Sequence, residues 1–277
     1  MDGWEWDPSL YEGSAPFYTP GRLPYPTELA EILRGELALD GSGRLLDVGC
    51  GPGSLTLILA GLFDEVVGVD ADAAMLAEAD RRAQELGIAN VRWRCQRAEA
   101  LPAGLGAFRL ITMAQCFHWM DRPLVAATLY EMLEPDGGLV HVGATTHRGA
   151  IDEADLPGPT PPRDRIDELV VSYLGPVRRA GRGVLPADTP SGEDAVFAGA
   201  GFVGPRRLTV PGGRVFARTE DEIVASVFSL SSASPHLFGD HLSAFERDLR
   251  ALLRQSSPTG EFWERLGDIG LSIWTNP

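Results

Sequence analysis

The chain of 277 residues is long enough to bury one sizeable core, and we expect one large α/β domain with an insertion. Its 44% hydrophobic and 23% charged residues lie in the ordinary globular range, which argues against disorder over most of the length. The formal net charge of −15 disfavours a nucleic-acid partner, because no basic stripe is present that could neutralise phosphates.

Neither a membrane segment nor a cysteine framework is predicted. The most apolar run, 55–63, is far too short to cross a bilayer, and the first 21 residues lack the basic and apolar regions of a signal peptide. The three cysteines have no CxxC spacing, so neither disulfides nor a zinc site is indicated. We therefore expect a soluble cytoplasmic protein without a metal, and the sequence sets no oligomeric state.

Apolar runs alternate with amphipathic runs up to about residue 147. Runs rich in β-branched or aromatic residues predict strands at 44–48, 65–70, 90–95, 108–114 and 138–144. The clearest helix covers 72–86, with Asp72 as its N-cap and Gly87 as its stop, and another covers about 123–133. Strands that alternate with such helices predict right-handed βαβ units and a doubly wound α/β fold.

The alternation ends near residue 148, where Pro and Gly become frequent around one helix-like stretch, 165–174. We predict an N-terminal cap segment with a first helix at 1–43, a core at 44–147, an insert or lid at 148–201, and a segment at 202–277 that completes the sheet.

The loop after the first strand, GCGPGS at 49–54, has the composition of a ligand-binding turn. Its three glycines permit a sharp turn and a close approach of the backbone to a ligand. The dinucleotide fingerprint requires glycine where Ser54 stands, and Pro52 removes an amide that would bind phosphate. The loop therefore favours a cofactor without phosphate, such as S-adenosylmethionine, over NAD.

Three acidic residues accompany the predicted strand ends. Asp47 precedes the glycines and would supply an acidic rim for a sulfonium. Asp70 ends the second strand, where a carboxylate can accept both ribose hydroxyls or cap the following helix. Glu99 follows the third strand and is a candidate for the adenine amino group, with a solvated loop residue as the alternative.

The ordered series LLDVGCGPG, VVGVD, RAEALP, QCFHWMD and LEPDGG resembles the class I S-adenosylmethionine-dependent methyltransferases. Within them it is similar to the small-molecule family of type 11 and trans-aconitate methyltransferase-like enzymes, over roughly residues 40–145. The resemblance implies a Rossmann-like, mostly parallel seven-stranded sheet with an antiparallel closing strand. The segment 148–201 matches no motif, so nothing of the substrate's identity transfers.

The resemblance also implies which residues surround the cofactor. It places the methionine part at Asp47, Gly49, Cys50 and Gly51, the ribose at Asp70, the adenine at Ala71, Met75, Ala98 and Glu99, and the sulfonium near Ala114 and Gln115. Similar families close a Tyr and an Arg over the cofactor carboxylate, which would be Tyr18 and Arg22 here. A guanidinium suits that task because it can hold a carboxylate by two hydrogen bonds.

Methyl transfer from a sulfonium is an in-line displacement, so a dry site that orients the acceptor does most of the catalysis. His118, directly after the fourth strand, is a candidate general base or hydrogen-bond orienter, and the alternative is a histidine that bonds backbone at a strand end. Tyr25 and Trp119 are candidate substrate contacts, although a Trp in this place is more often packing.

Transfer of a methyl group to a small molecule, as O-methylation of a specialised metabolite, is the leading functional hypothesis. One alternative is N- or C-methylation of a small molecule or peptide. Another is a protein that binds S-adenosylmethionine as a sensor or scaffold without catalysing transfer.

Overall fold

The computed structural model describes residues 7–150, 155–180, 183–185 and 192–276, which divide into two compact units. The first, which we call the sheet unit, draws its described residues from Tyr25–Ala144, Pro190–Val210 and Ile269–Pro277. The other, the second unit, draws them from Met1–Pro24, Thr145–Thr189 and Pro211–Asp268. Among the described residues, no helix combines the length and the apolar character needed to span a bilayer.

The sheet unit is built on seven strands in the order β3-β2-β1-β4-β5-β11-β8. In chain order the strands of the described residues are β1 Arg44–Val48, β2 Glu65–Asp70, β3 Val91–Cys95, β4 Phe108–Ala114, β5 Leu133–Gly143, β6 Arg178–Ala180, β7 Gly183–Leu185, β8 Val203–Val210, β9 Val215–Thr219, β10 Glu261–Arg265 and β11 Ile269–Thr275. β1 to β5 pair in parallel, and β11 runs antiparallel to both of its neighbours. The predicted mostly parallel sheet with an antiparallel closing strand is confirmed.

The α-helices of the described residues are α1 Ala15–Gly21, α2 Glu28–Glu36, α3 Thr56–Leu59, α4 Ala73–Glu85, α5 Arg122–Glu131, α6 Arg163–Leu174, α7 Glu193–Gly199, α8 Glu220–Phe228 and α9 Leu242–Ser256. α4, α5 and α6 lie close to the helices predicted at 72–86, about 123–133 and 165–174, whereas no helix was predicted at α1, α3 or α7. The side chain of Asp72 caps α4 as predicted, because it accepts hydrogen bonds from the amides of Ala74 and Met75.

Both faces of the sheet are covered, as in parallel sheets generally. Leu46 and Val48 of β1 belong to one buried apolar cluster, and Leu45 of the same strand belongs to the other. Side chains alternate across a strand, so the continuous apolar run of β1 supplies both clusters. In the first cluster Phe117 and Phe197 stack with their ring centroids 4.7 Å apart.

The second unit has its own apolar core, in which Phe238 and Phe245 stack at 4.1 Å between ring centroids. It contains two small antiparallel pairs, β6 with β7 and β9 with β10. Residues 202–277 were predicted to complete the sheet, but only β8 and β11 do so, and residues 211–268 belong to the second unit.

The turn at Pro211–Gly213 explains this difference. Its sequence between two strand-like runs resembles a hairpin turn, yet a Cβ on Gly212 would stand 2.3 Å from the carbonyl oxygen of Leu266. The amide of Gly212 also donates to the carboxylate of Asp268, at 2.8 Å. The turn therefore packs on the connection between β10 and β11, and the strands on either side of it do not pair with each other.

Candidate functional site

The glycine loop follows β1 in the sheet unit, at the carboxyl end of the strand. Gly49, Gly51 and Gly53 have φ angles of +67°, +53° and +73°, in the left-handed region that favours glycine. A Cβ on Gly49 would stand 2.6 Å from the Cβ of Cys116, so the loop packs closely at this point. A Cβ on Gly51 would meet no atom within 4 Å, which leaves that side of the loop accessible to a ligand.

The backbone amides of residues 49–53 are all engaged within the protein or absent. Those of Gly49 and Cys50 donate to the carbonyl of Val69, that of Gly51 to the carboxylate of Asp70, and that of Gly53 to the carbonyl of Cys50. Pro52 has no amide hydrogen. A pyrophosphate cradle requires such amides to be free to donate, so this loop suits a ligand that brings donors rather than phosphates.

Asp70, at the end of β2, is half-buried and supports the loop. Its Oδ2 accepts from the amide of Gly51 at 2.8 Å and its Oδ1 from the amide of Asp72 at 2.9 Å. Burial raises its pKa. A carboxylate oxygen accepts more than one hydrogen bond, so both oxygens keep capacity for ligand hydroxyls, while Asp72 rather than Asp70 caps α4.

Asp47 differs from the predicted acidic rim, because its side chain is only 2% exposed. The hydroxyls of Thr56 and Thr112 donate to its two carboxylate oxygens, the latter at 2.7 Å. Burial raises the pKa of Asp47 to about 6, against the lowering effect of these two hydrogen bonds. The carboxylate is therefore held behind the loop by the two threonine hydroxyls and does not form an exposed acidic rim.

Glu99 is held in place rather than solvated, which corrects that alternative. One of its oxygens accepts from the amide of Asp121 at 2.9 Å, and the other lies 3.3 Å from Nε of Arg97. Nearby in the chain, Ala98 is buried. The carboxylate is thus fixed directly after β3, where the adenine contact was predicted.

The remaining predicted cofactor residues of the sheet unit flank these strand ends. Met75 and Cys50 are buried, whereas Ala71 and Ala114 are half-buried. Gln115, directly after β4, has a φ of +56°, which is uncommon for a residue other than glycine. Its Nε2 donates to the hydroxyl of Tyr25 at 3.1 Å, so two residues far apart in sequence meet here.

His118 is half-buried in a short 3₁₀ turn, Phe117–Trp119. Burial, and then the nearby His141, lower the pKa of His118 to about 4, so the imidazole is neutral at pH 7. A neutral imidazole can orient an acceptor, but the low pKa weakens it as a general base. Trp119 is 8% exposed, which places most of its ring in packing rather than against a substrate.

Tyr18 and Arg22 lie in the second unit. The guanidinium of Arg22 stacks over the Tyr18 ring at 4.5 Å from its centroid. Its Nε and Nη2 donate to the hydroxyl and the carbonyl of Ser229, at 2.9 and 2.8 Å. Their contact with a cofactor carboxylate stays a prediction.

Sequence reasoning missed the residues that support the loop from behind. Thr56 and Thr112 hold Asp47, and Nη1 of Arg82 donates to the carbonyl of Pro52 at 2.6 Å. Arg82 precedes Ala83, which belongs to the buried stripe of α4. A charged residue next to a buried stripe is the sequence signal that could have indicated this supporting role of Arg82. Across the described residues, no group of three or more His, Cys, Asp or Glu is placed to hold a metal ion.

Comparison with known proteins gives a family match over the site. Residues 45–137 match the family described as a methyltransferase domain. The YcgJ protein of Bacillus subtilis, an uncharacterised methyltransferase, is 35% identical over 95 residues, which are 34% of this chain and 38% of that protein. Its crystal structure shares the fold, with a TM-score of 0.51 and 19% identity over 90% of this chain and 98% of that one.

Two further relatives carry more specific names. A ubiquinone biosynthesis O-methyltransferase of Cereibacter sphaeroides is 34% identical over 126 residues, 44% of this chain and 50% of that protein. An S-adenosyl-L-methionine-dependent Diels-Alderase, iccD of Talaromyces variabilis, is 31% identical over 156 residues, 52% of each chain. The chain thus spans about half the length, or less, of these curated relatives.

Proposed function

Because residues 45–137 match the family described as a methyltransferase domain, we propose that the protein is a class I enzyme that transfers the methyl group of S-adenosylmethionine to a small molecule. The main support for this cofactor is that the backbone amides of residues 49–53 are already hydrogen-bonded within the protein or absent, so none of them is available to bind a pyrophosphate. Asp70 supports the same choice, because its oxygens retain capacity for ribose hydroxyls.

When bound, the cofactor supplies a methyl group on an electrophilic sulfonium. In this proposal the glycine loop binds the methionine part, and Asp70 accepts the ribose hydroxyls. The fixed carboxylate of Glu99 accepts from the adenine amino group, with Ala71, Met75 and Ala98 beside the ring. Ala114 and Gln115 border the reacting centre at the end of β4.

The acceptor would be oriented by His118 and Tyr25. His118 is neutral at pH 7, so its ring nitrogen can accept a hydrogen bond from an acceptor hydroxyl. The hydroxyl of Tyr25 accepts from Gln115, which positions the phenol beside the residue that follows β4. The relative named an O-methyltransferase supports oxygen as the methylated atom, with N- or C-methylation as the alternative.

A second candidate is a protein that binds S-adenosylmethionine without transferring its methyl group. The relative named an S-adenosyl-L-methionine-dependent Diels-Alderase favours it, because that name couples the cofactor to a reaction other than methylation. A cofactor site of the same composition would serve either function.

Turnover separates the two candidates. The purified protein is incubated with methyl-labelled S-adenosylmethionine and a panel of phenols, carboxylic acids, amines and peptides, and adenosylhomocysteine release is followed. We expect release in step with label in a hydroxyl or carboxyl acceptor. Binding of S-adenosylmethionine without release for any acceptor would support the second candidate and contradict the first.

The role of His118 is tested in the same assay. We expect His118→Ala to lower kcat by about tenfold or more without changing cofactor affinity, since alanine has no side-chain atom that can accept the substrate's hydrogen bond. His241→Ala, in the second unit, is the control. An unchanged kcat in His118→Ala would remove this residue from the mechanism.

A further inference from the structure

A cavity of about 510 Å³ lies in the second unit, and its described lining residues include none of the site residues named above. It is bounded by the first turn of α6, by the end of β10 and by the stretch 148–150. Trp263, Leu156 and Pro161 contribute apolar walls. Its volume is of the order found for small-molecule sites, which are typically about 300–1,000 Å³.

The polar lining of this cavity is mainly basic. Four arginines line it, namely Arg148, Arg163, Arg165 and Arg265, against the two carboxylates Asp164 and Glu264 among the described residues. This excess of positive charge stands in a chain whose net charge is −15. Since acidic side chains dominate the chain as a whole, a local arginine excess around a concave site indicates an anionic ligand.

The buried carboxylate of Glu264 does not cancel this excess. Its Oε1 accepts from Nη2 of Arg163 at 2.6 Å and from the amide of Gly149 at 2.9 Å. Its Oε2 accepts from Arg218, a further arginine that is 3% exposed, at 3.1 Å. One carboxylate is therefore shared by two guanidiniums, and among the described lining residues the arginines still outnumber the carboxylates.

The neighbouring His147 responds to the same charges. It is half-buried, and its pKa is lowered to about 3 by burial and then by Arg22, Arg148 and Arg163. The imidazole is therefore neutral at pH 7 and can donate one hydrogen bond without adding charge. An anion bound beside these arginines would raise the pKa of His147, because it would offset their field.

We propose that this cavity binds a small organic carboxylate, with the carboxylate held by Arg148 and Arg163 and the apolar body against Trp263. Guanidinium groups match a carboxylate by paired, charge-assisted hydrogen bonds. The indole and the proline side chains exclude water from the rest of the ligand. The site stands independently of methyl transfer, since it uses residues of the second unit alone.

Binding of trans-cinnamate to the full chain, measured by calorimetry at pH 7 without cofactor, tests the proposal. We expect saturable binding of cinnamate, and binding of the uncharged cinnamamide that is weaker by about tenfold or more. Arg148→Gln should weaken cinnamate binding by about tenfold or more, because the exposed Arg148 contributes a charge-assisted bond. Arg247→Gln, an exposed arginine of α9, should bind cinnamate as the parent chain does.

Three results would overturn the proposal: no saturable cinnamate binding, equal binding of the amide, or unchanged binding in Arg148→Gln. Inorganic phosphate binding more tightly than cinnamate would show a simple oxyanion site and would equally contradict it. The NMR signal of His147 gives a second readout, with a higher pKa expected in the cinnamate complex. Adenosylhomocysteine is titrated onto the same samples in a separate experiment. A failure of cinnamate binding is thereby distinguished from a failure of cofactor binding, on which the proposed function depends.

Discussion

Single residues of the glycine loop divide into those that support the loop and those that face a ligand. A Cβ on Gly49 would overlap the side chain of Cys116. The amide of Gly51 donates to Asp70, and a Cβ on Gly51 would point into open space. Both have a positive φ, so any side chain carries a backbone strain of about 1–2 kcal/mol at either position. Only the surroundings distinguish the two positions, which makes them a matched pair.

Alanine substitutions test this division. Gly49→Ala should lower the free energy of unfolding by about 2–4 kcal/mol, since its Cβ would also overlap Cys116. Gly51→Ala should cost only about 1–2 kcal/mol of stability but should weaken adenosylhomocysteine binding. Urea unfolding and calorimetry measure the two quantities. Equal stability losses, or unchanged affinity in Gly51→Ala, would contradict the assignment.

The low pKa of His118 has a defined consequence for stability. Its pKa is about 4 in the folded protein, against about 6.5 when unfolded, so the unfolded chain binds the proton more readily. The neutral imidazole of His118 therefore makes its full contribution to the free energy of unfolding above pH 6.5. As the pH falls towards 4 this contribution is lost, and the free energy of unfolding decreases by up to about 3 kcal/mol.

His118→Gln should therefore flatten the pH dependence of stability. Between pH 7 and 4.5 the free energy of urea unfolding of the parent chain should fall more steeply than that of the variant, because glutamine does not titrate. The other buried histidines are present in both chains, so the difference between the two curves reports mainly on the titration of His118. Parallel curves would show that His118 is not neutralised by burial.

At the scale of elements, α4 and α2 both follow a residue of a type that favours helix N-caps, but only α4 has a side-chain cap. Asp72 precedes α4 and accepts from two amides, whereas Thr27 precedes α2 without a side-chain cap. Both belong to the sheet unit, and both residue types are good N-caps in general.

Asp72→Ala should therefore cost about 1 kcal/mol of stability, and Thr27→Ala a few tenths at most. Chemical denaturation of the two variants provides the comparison, and Asp72→Ser should restore most of the loss because its hydroxyl can accept the same bonds. A larger loss in Thr27→Ala would mean that Thr27 contributes an interaction other than a cap.

The elements of the sheet were predictable, whereas their neighbours were only partly so. β1 and β4 are apolar runs because parallel strands are buried on both faces, and that pattern is visible in the residues alone. β9 and β10 carry the same local signals, so nothing local distinguishes their pairing from membership of the main sheet. The Gly212 turn, which lies between β8 and β9, depends on close packing against Leu266.

The same distinction applies to the candidate site. The places of Asp70 and Glu99 followed from strand ends, because a residue there is positioned by topology. The burial of Asp47 depends on Thr56 and Thr112, whose hydroxyls reach it only in the folded chain. The low pKa of His118 depends first on burial and then on His141 of β5, which lies 23 residues further along the chain.

At the scale of the whole molecule, the second unit is assembled from three separate stretches of chain, and Glu264 links them. It bonds Arg163 and Gly149 from the middle stretch, and Arg218, whose Nη2 also donates to the carbonyl of Pro20 in the first. A buried carboxylate in such a network stabilises mainly because its removal leaves buried guanidiniums without a counter-charge.

Glu264→Gln should accordingly lower the free energy of unfolding by about 3–5 kcal/mol. Glu261→Gln, on an exposed position of the same strand, should change it by no more than about 0.5 kcal/mol. Thermal and urea unfolding of both variants test this. Similar losses in the two would mean that Glu264 is not the link between the three stretches.

The central claim, that the glycine loop and Asp70 hold S-adenosylmethionine, is tested most directly by calorimetric titration of adenosylhomocysteine and NADH onto three chains. These are the parent, Asp70→Asn, and the control Asp80→Asn, which removes an exposed carboxylate from α4. We predict that adenosylhomocysteine binds the parent and Asp80→Asn equally, and Asp70→Asn about tenfold to a hundredfold more weakly, while NADH binds none. Tight NADH binding, or full adenosylhomocysteine affinity in Asp70→Asn, would contradict the account.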